Sequence, residues 1–190
     1  AYRNNKHDDY PSKPVPSNNK GYNIGVHMCD LWRDADRGEG WAWASPFPDL
    51  EPVLGYYDEG LPEVADWEIK QMVEHGITFQ HVCWYPPVYM ANKALKMTHN
   101  GGRHIQAFQN AKYSDMMKYA IIYVNEDYDR RFQSFESFKN YIWAYWKENF
   151  FSDPRYLVID NKPFMSMIAV SAFIDAMGGD EGAKKCIEFM

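Results

Sequence analysis

The side chains best suited to chemistry fall in three places, each just after a short apolar run: His27, Asp30 and Trp32; Trp84 and Tyr85; and Asn125, Glu126 and Asp127. Aromatic rings offer flat apolar faces that fit the C–H faces of sugars, while Asn and Glu exchange hydrogen bonds with ring hydroxyls. This mixture fits carbohydrate better than phosphate or acyl substrates. Glu126 directly follows Ile121-Ile122-Tyr123-Val124, and a carboxylate at the mouth of a buried run needs a partner or a ligand. Trp84 closes an apolar run and reads equally as a core ring or as a sugar platform. His27 stands at the same kind of run end, yet it and His81 also read as satisfied, partly buried histidines, since no second His or carboxylate stands at a metal-ligand spacing.

Other chemistries find little support. Gly101-Gly102 and Gly178-Gly179 lack the spacing and the lysine of a phosphate loop, and no serine sits between glycines as a nucleophile elbow would require. The three cysteines, Cys29, Cys83 and Cys186, have no metal-type spacing, and an odd count closes no disulfide framework, so they read as reduced thiols. Asp34, Asp36, Arg37 and Glu39 miss the calcium-loop pattern and read as a solvated loop. No metal or cofactor is expected. A net charge of -6, with no Lys or Arg run longer than a pair, argues against nucleic acid and anionic lipid as partners. No apolar stretch is long enough for membrane insertion.

Elements must hold these residues in place. The first twenty residues, with Pro11, Pro14 and Pro16 among Asn, Lys and Ser, predict an extended leader with nothing to bury. Tyr22 to Met28 reads as a first strand, and the aromatic-rich stretch from Asp30 to Tyr57 as a long functional loop. Pro62 to His75 carries apolar residues at Ala65, Ile69, Met72 and Val73, with Gly76 as a stop, which predicts an amphipathic helix. Ile77 to Trp84 follows as a strand. Helical pattern resumes within Val88 to Met97, breaks around Asn100 to Gly102, and returns through His104 to Asn110. Met117 to Val124 is a nearly continuous apolar run, the mark of a strand covered on both faces. Ser134 can cap a helix bearing Phe135, Phe138, Ile142, Tyr145, Trp146 and Phe150. Asp160 and Asn161 suit a tight turn between Tyr156 to Ile159 and Phe164 to Val170, with Pro163 at an edge position. Phe173 to Met177 and Glu181 to Met190 read as closing helices.

Strand, loop and helix therefore alternate about four times, which predicts an α/β fold with parallel strands and right-handed crossovers. The expectation is residues 21–190 as the N-terminal half, about four β/α units, of a (β/α)8 barrel of the TIM type, with a small open sheet as the alternative. In such a barrel the ligand-facing residues are those at the strand C-terminal ends. A half barrel leaves open edges, so the remainder of the barrel or self-association is expected to cover them.

The runs Leu54 to Pro87 (LGYYDEGLPEVADWEIKQMVEHGITFQHVCWYPP), Met117 to Tyr128 (MKYAIIYVNEDY) and Phe150 to Ile168 (FFSDPRYLVIDNKPFMSMI) resemble the N-terminal half of glycoside hydrolase family 99 and its WbsX-like relatives. The resemblance implies a metal-independent barrel acting on mannose-containing or related oligosaccharides or polysaccharides. It implies that Trp84 stacks on sugar, that Glu126 contacts substrate, and that Asn125 and Tyr85 line the same mouth, to which the strand reading adds His27 and Trp32. The family's catalytic carboxylates lie in a Glu-x-x-Glu arrangement late in the barrel. This sequence contains none, so catalytic residues are expected outside it. The alternatives are a non-catalytic carbohydrate-binding barrel remnant and a WbsX-like polysaccharide-biosynthesis protein. The start at Ala1 without Met implies processing or excision, and the expected location is secreted or periplasmic.

Overall fold

Helix α1 (Pro62–Glu74) begins where Pro62 supplies a preset helical φ. It ends where Gly76 adopts φ +80°, so that the Ile77 N–H reaches Met72 O at 3.0 Å and the Gly76 N–H reaches Val73 O at 3.2 Å. This paired closure satisfies two carbonyls left over at the helix end and turns the chain straight into the next strand. The computed structural model describes residues 10–30, 32, 40–86, 102–126 and 134–190. The expected helix within Val88 to Met97, the cluster Asp34 to Glu39 and Asp127 lie outside the described residues.

Four parallel strands form the sheet, in the order β1 (Gly25–Met28), β2 (Phe79–Trp84), β3 (Lys118–Tyr123) and β6 (Met165–Met167). The crossovers carry α1 and α2 (Gly102–Asn110), and then a helix α3 over 135–151 in which π-helical turns at Phe138–Trp143 and Lys147–Phe151 alternate with α-helical ones. Ser134 caps α3 as expected, its hydroxyl accepting from the Ser137 N–H at 3.1 Å. Two further helices, α4 (Val170–Ala176) and α5 (Asp180–Phe189), follow β6. The α/β architecture and parallel order expected from the alternation are thus present.

The fourth strand is interrupted. Tyr156 bridges Tyr119 in parallel, and then the chain leaves the sheet as a hairpin of β4 (Val158–Ile159) and β5 (Lys162–Pro163) before β6 resumes alongside β3. Asp160 and Asn161 make the turn with φ of 49° and 62°, the left-handed conformation a tight hairpin needs and that Asn and Asp tolerate. The Tyr156 hydroxyl fills the gap left by the excursion, accepting from the Ile121 N–H at 3.2 Å and donating to Phe164 O at 2.8 Å.

Strand pleating sorts the side chains onto two faces. Val82, Trp84, Tyr119, Ile121 and Tyr123 face the helices, where Ile69, Phe108, Phe138, Trp146 and Phe150 complete the core. The opposite face is the concave side of a barrel and is layered across the strands, as in closed barrels. Gly25 registers with Phe79; His27 with His81 and Ala120; and Cys83 with Ile122 and Ser166. The Phe79 ring covers Gly25 so closely that a Cβ there would stand 2.2 Å from it.

The N-terminal segment is extended, as expected, but the expectation that it has nothing to bury is corrected. Pro11 and Pro14 are buried. Tyr10 donates its hydroxyl to Asp66, Tyr113 donates to Pro11 O at 3.0 Å, and the Ser17 N–H bonds Val73 O at 3.2 Å. Asp66 itself is fully buried and accepts from the Lys112 and Tyr113 N–H groups at 3.0 and 2.7 Å. One carboxylate thereby ties this strap, α1 and the approach to β3 together.

Candidate functional site

The C-terminal ends of the strands gather most of the expected residues, but they divide between the two faces. His27, exposed on the concave face, meets His81 edge-on with ring centroids 5.2 Å apart. His81 is buried and satisfied, its Nε2 lying 3.2 Å from Ile121 O and 3.1 Å from Ser166 Oγ. Burial, followed by the neighbouring His27, lowers its pKa against the opposing effect of the Ile121 carbonyl. Two layers above His81, Tyr85 is half-buried and its hydroxyl lies 3.5 Å from Cys29 Sγ. Glu126 is exposed beyond the end of β3, and continued alternation from Ala120, Ile122 and Val124 assigns it to the same concave side.

Two expected substrate contacts are corrected. Trp84 is 2% exposed and points to the helical layer, stacked near Tyr145 at 5.9 Å and edge-on to Trp146 and Phe150 at 5.5 and 6.3 Å. It is a core ring rather than a sugar platform, because position 84 has the parity of Gln80 and Val82. Asn125 is fully buried and spends its amide on the chain after β6, donating Nδ2–H to Ala169 O at 2.6 Å and accepting the Ala169 N–H on Oδ1 at 2.9 Å. It clamps the ends of β3 and β6 together.

Trp32 belongs to an aromatic group built by the loop before α1. Its ring stacks on Trp41 at 4.1 Å. Trp41 is buried, meets Tyr57 and Tyr56 edge-on at 5.0 and 5.6 Å, and donates Nε1–H to Tyr57 O at 2.5 Å. Trp43, by contrast, is 81% exposed.

Beneath this loop lies a group of which the sequence reading named only Asp30. Asp30, Glu59, Glu68, Gln80 and His104 are all buried. Glu59 pins the loop to the end of β1: its N–H bonds Trp32 O at 3.1 Å, and its carboxyl Oε2 accepts from the Trp32 N–H at 2.9 Å. Burial, then the neighbouring Glu68, pushes the Glu59 carboxyl up to about 9, against the Trp32 N–H that favours its charge. Burial, then Asp30, pushes Glu68 up to about 8. Burial drives the His104 imidazole down to about 4. At neutral pH the neutral ring gives Nε2–H to Gln80 Oε1 at 2.8 Å, which leaves Nδ1 bare, 3.7 Å from Glu68 Oε2. Both partners are neutral there, so the contact is not an ion pair. The available signal was Glu68 itself, a carboxylate three residues after Ala65 and four before Met72, within the apolar stripe of α1.

Among the described residues no three His, Cys, Asp or Glu side chains are placed to hold a metal ion, and no helix is long and apolar enough to cross a membrane.

No protein-family profile matches the sequence, and comparison with curated proteins returns no match. Among solved structures, the chain is similar to the GH99 endo-alpha-mannosidase from Bacteroides thetaiotaomicron, with a TM-score of 0.51 and 14% sequence identity over 76% of this chain. The chain spans 41% of that enzyme's length. At this identity the likeness is one of fold: the described strands and helices have the architecture of part of a (β/α) barrel.

Proposed function

We propose that this chain forms one wall of the substrate cleft of a barrel glycoside hydrolase acting on mannose-containing or related glycans. The observation that carries the reading is the exposed Glu126 carboxylate just beyond the end of buried β3, with His27 and Tyr85 at the ends of the neighbouring strands on the concave face. The Trp32 and Trp41 pair lies beyond β1 at the same end of the sheet. In a barrel of parallel strands this end is where ligands bind. The fold shared with an endo-alpha-mannosidase supports the choice of glycan.

Glycoside hydrolysis normally uses two carboxyl groups flanking one bond. Glu59 and Glu68 lie buried beneath the loop before α1, away from solvent. The role proposed for Glu126 is therefore to hold sugar hydroxyls while catalytic carboxylates come from elsewhere in the barrel. A second reading is a barrel that binds glycan without cleaving it, and the aromatic loop bearing the Trp32 and Trp41 stack and exposed Trp43 favours it.

The test is calorimetric titration of the protein with α-linked manno-oligosaccharides, alongside Glu126→Gln. Losing hydrogen bonds to a charged acceptor lowers affinity by about 10- to 100-fold. Unchanged binding by the variant, or no binding to any member of a broad glycan panel, would remove the basis for the proposal. Hydrolysis of the same sugars separates the enzyme from the binding-only reading.

A further inference from the structure

Cys29 and Cys83 occupy neighbouring strands on the concave face. The β1–β2 register runs from Gly25 opposite Phe79 to Met28 opposite Val82, so the next residue pair is Cys29 and Cys83. Each lies two residues beyond His27 and His81, whose rings touch on the concave face, and alternation turns both thiols the same way. One contact supports this placement: Cys29 Sγ lies 3.5 Å from the hydroxyl of Tyr85, two residues beyond Cys83. The thiols differ in access. Cys29 is exposed, Cys83 is half-buried, and Cys186, the third cysteine, is fully buried among the helices.

We propose that Cys29 and Cys83 are a reversible dithiol–disulfide site at the mouth of the sheet. Adjacent strands lie about 4.8 Å apart, within the Cα separation that a disulfide spans. Side chains on parallel neighbours run side by side, so closing the bond requires the backbone to yield. Cys29 stands one residue past the end of β1, where the ladder no longer holds it. A bridge closed in this way is strained, and strained, accessible disulfides are the easily reduced ones.

The chemistry is thiol–disulfide exchange with a low-molecular-weight disulfide as oxidant. The exposed Cys29 attacks one sulfur of that disulfide as thiolate, forming a mixed disulfide and releasing one small thiolate. Cys83 then attacks Cys29 Sγ as thiolate, releasing the second. Two electrons pass to the small disulfide, and the two thiol protons end on the two small thiols. Burial pushes the Cys83 thiol up to about 11, which lowers its thiolate fraction and makes the second step the slower one. The two histidines one layer below do not turn the pair into a metal centre.

The experiment equilibrates the reduced protein in glutathione buffers of graded potential, quenches in acid and digests with trypsin. A cross-linked species joining the Gly21 to Arg33 and Gln71 to Lys93 peptides is expected, lighter by about two hydrogens than the sum of its parts. It should disappear on adding dithiothreitol, and Cys186 should stay free in the native protein. With Cys83→Ser the product should stop as a glutathione adduct on Cys29. Wild-type protein that stops at that same adduct, or that keeps both thiols free in the most oxidising buffer, overturns the proposal. A cross-link of either cysteine to Cys186 does so as well.

Discussion

Replacing Tyr156 by Phe removes one oxygen from a side chain that is buried on all sides, and the structure sets the cost. That oxygen accepts from the Ile121 N–H and donates to Phe164 O, two main-chain groups whose ladder partners were displaced when β4 and β5 left the sheet. Water has little access to refill the position, and the ring itself is unchanged in volume. Each orphaned group costs about 1 to 3 kcal/mol, and together they make roughly 2 to 6 kcal/mol, the lower end allowing for partial relaxation. For a chain of this length the expected fall in Tm is on the order of 10 °C. Chemical and thermal denaturation of Tyr156→Phe would be followed by circular dichroism. Tyr22→Phe, at an exposed site, serves as the control and is expected to change nothing. A loss below about 0.5 kcal/mol, within the range of ordinary surface substitutions, would refute the idea that this hydroxyl substitutes for a missing strand.

Trp84→Ala should cost about 3 to 5 kcal/mol of stability as a core cavity; denaturation midpoints check this, and lost sugar affinity in a variant of wild-type stability would contradict the core placement. The buried carboxyls make a pH prediction. Glu59 and Glu68 have folded pKa values near 9 and 8, above their unfolded value of 4.5, so the native state keeps protons that the unfolded chain has released. Their contribution to stability is fully present below about pH 4.5 and is lost as pH rises toward 8 and 9. His104, with a folded value near 4 against 6.5, works in the opposite sense and loses its contribution as pH falls through 6.5 toward 4. Between about pH 6.5 and 8 the two carboxyls alone act, with a slope on the order of 2 to 3 kcal/mol per pH unit. Urea denaturation across that window should show stability falling, and the double variant Glu59→Gln, Glu68→Gln should flatten the curve. A wild-type curve that rises there would count against the assignment.

What could be read from the sequence was whatever a few neighbouring residues decide. Pro62 and Gly76 bound α1 because one presets a dihedral and the other adopts a conformation costly for other residues. Asp160 and Asn161 specify their turn for the same reason. The four-strand order followed from alternation of element types. Residues that depend on which side of the sheet they occupy were less accessible. Trp84 ends a strand covered on both faces, where apolar pattern carries no parity, so its assignment to the helical side needed the register. Asn125 looked like a ligand-facing polar residue because nothing local reveals that its amide matches the backbone of Ala169, 44 positions away. Glu59 and Glu68 acquire their protonation only when folding buries them beside each other and Asp30. The gap in the fourth strand was hidden too, since a hairpin and a strand with an excursion share one local pattern.

The N-terminal strap has a consequence for how the molecule is made. Its partners emerge from the ribosome long after it does: Asp66 is 56 positions behind Tyr10, and Tyr113 is 102 behind Pro11. At a synthesis rate of about 5 to 20 residues per second, the strap waits on the order of 5 to 20 s before Tyr113 exists to hold it. Until Asp66 and then Tyr113 have been made, Tyr10 and Pro11 lack these partners. Assembly of this strap therefore runs against the direction of translation, an earlier-made segment being seated on later-made ones.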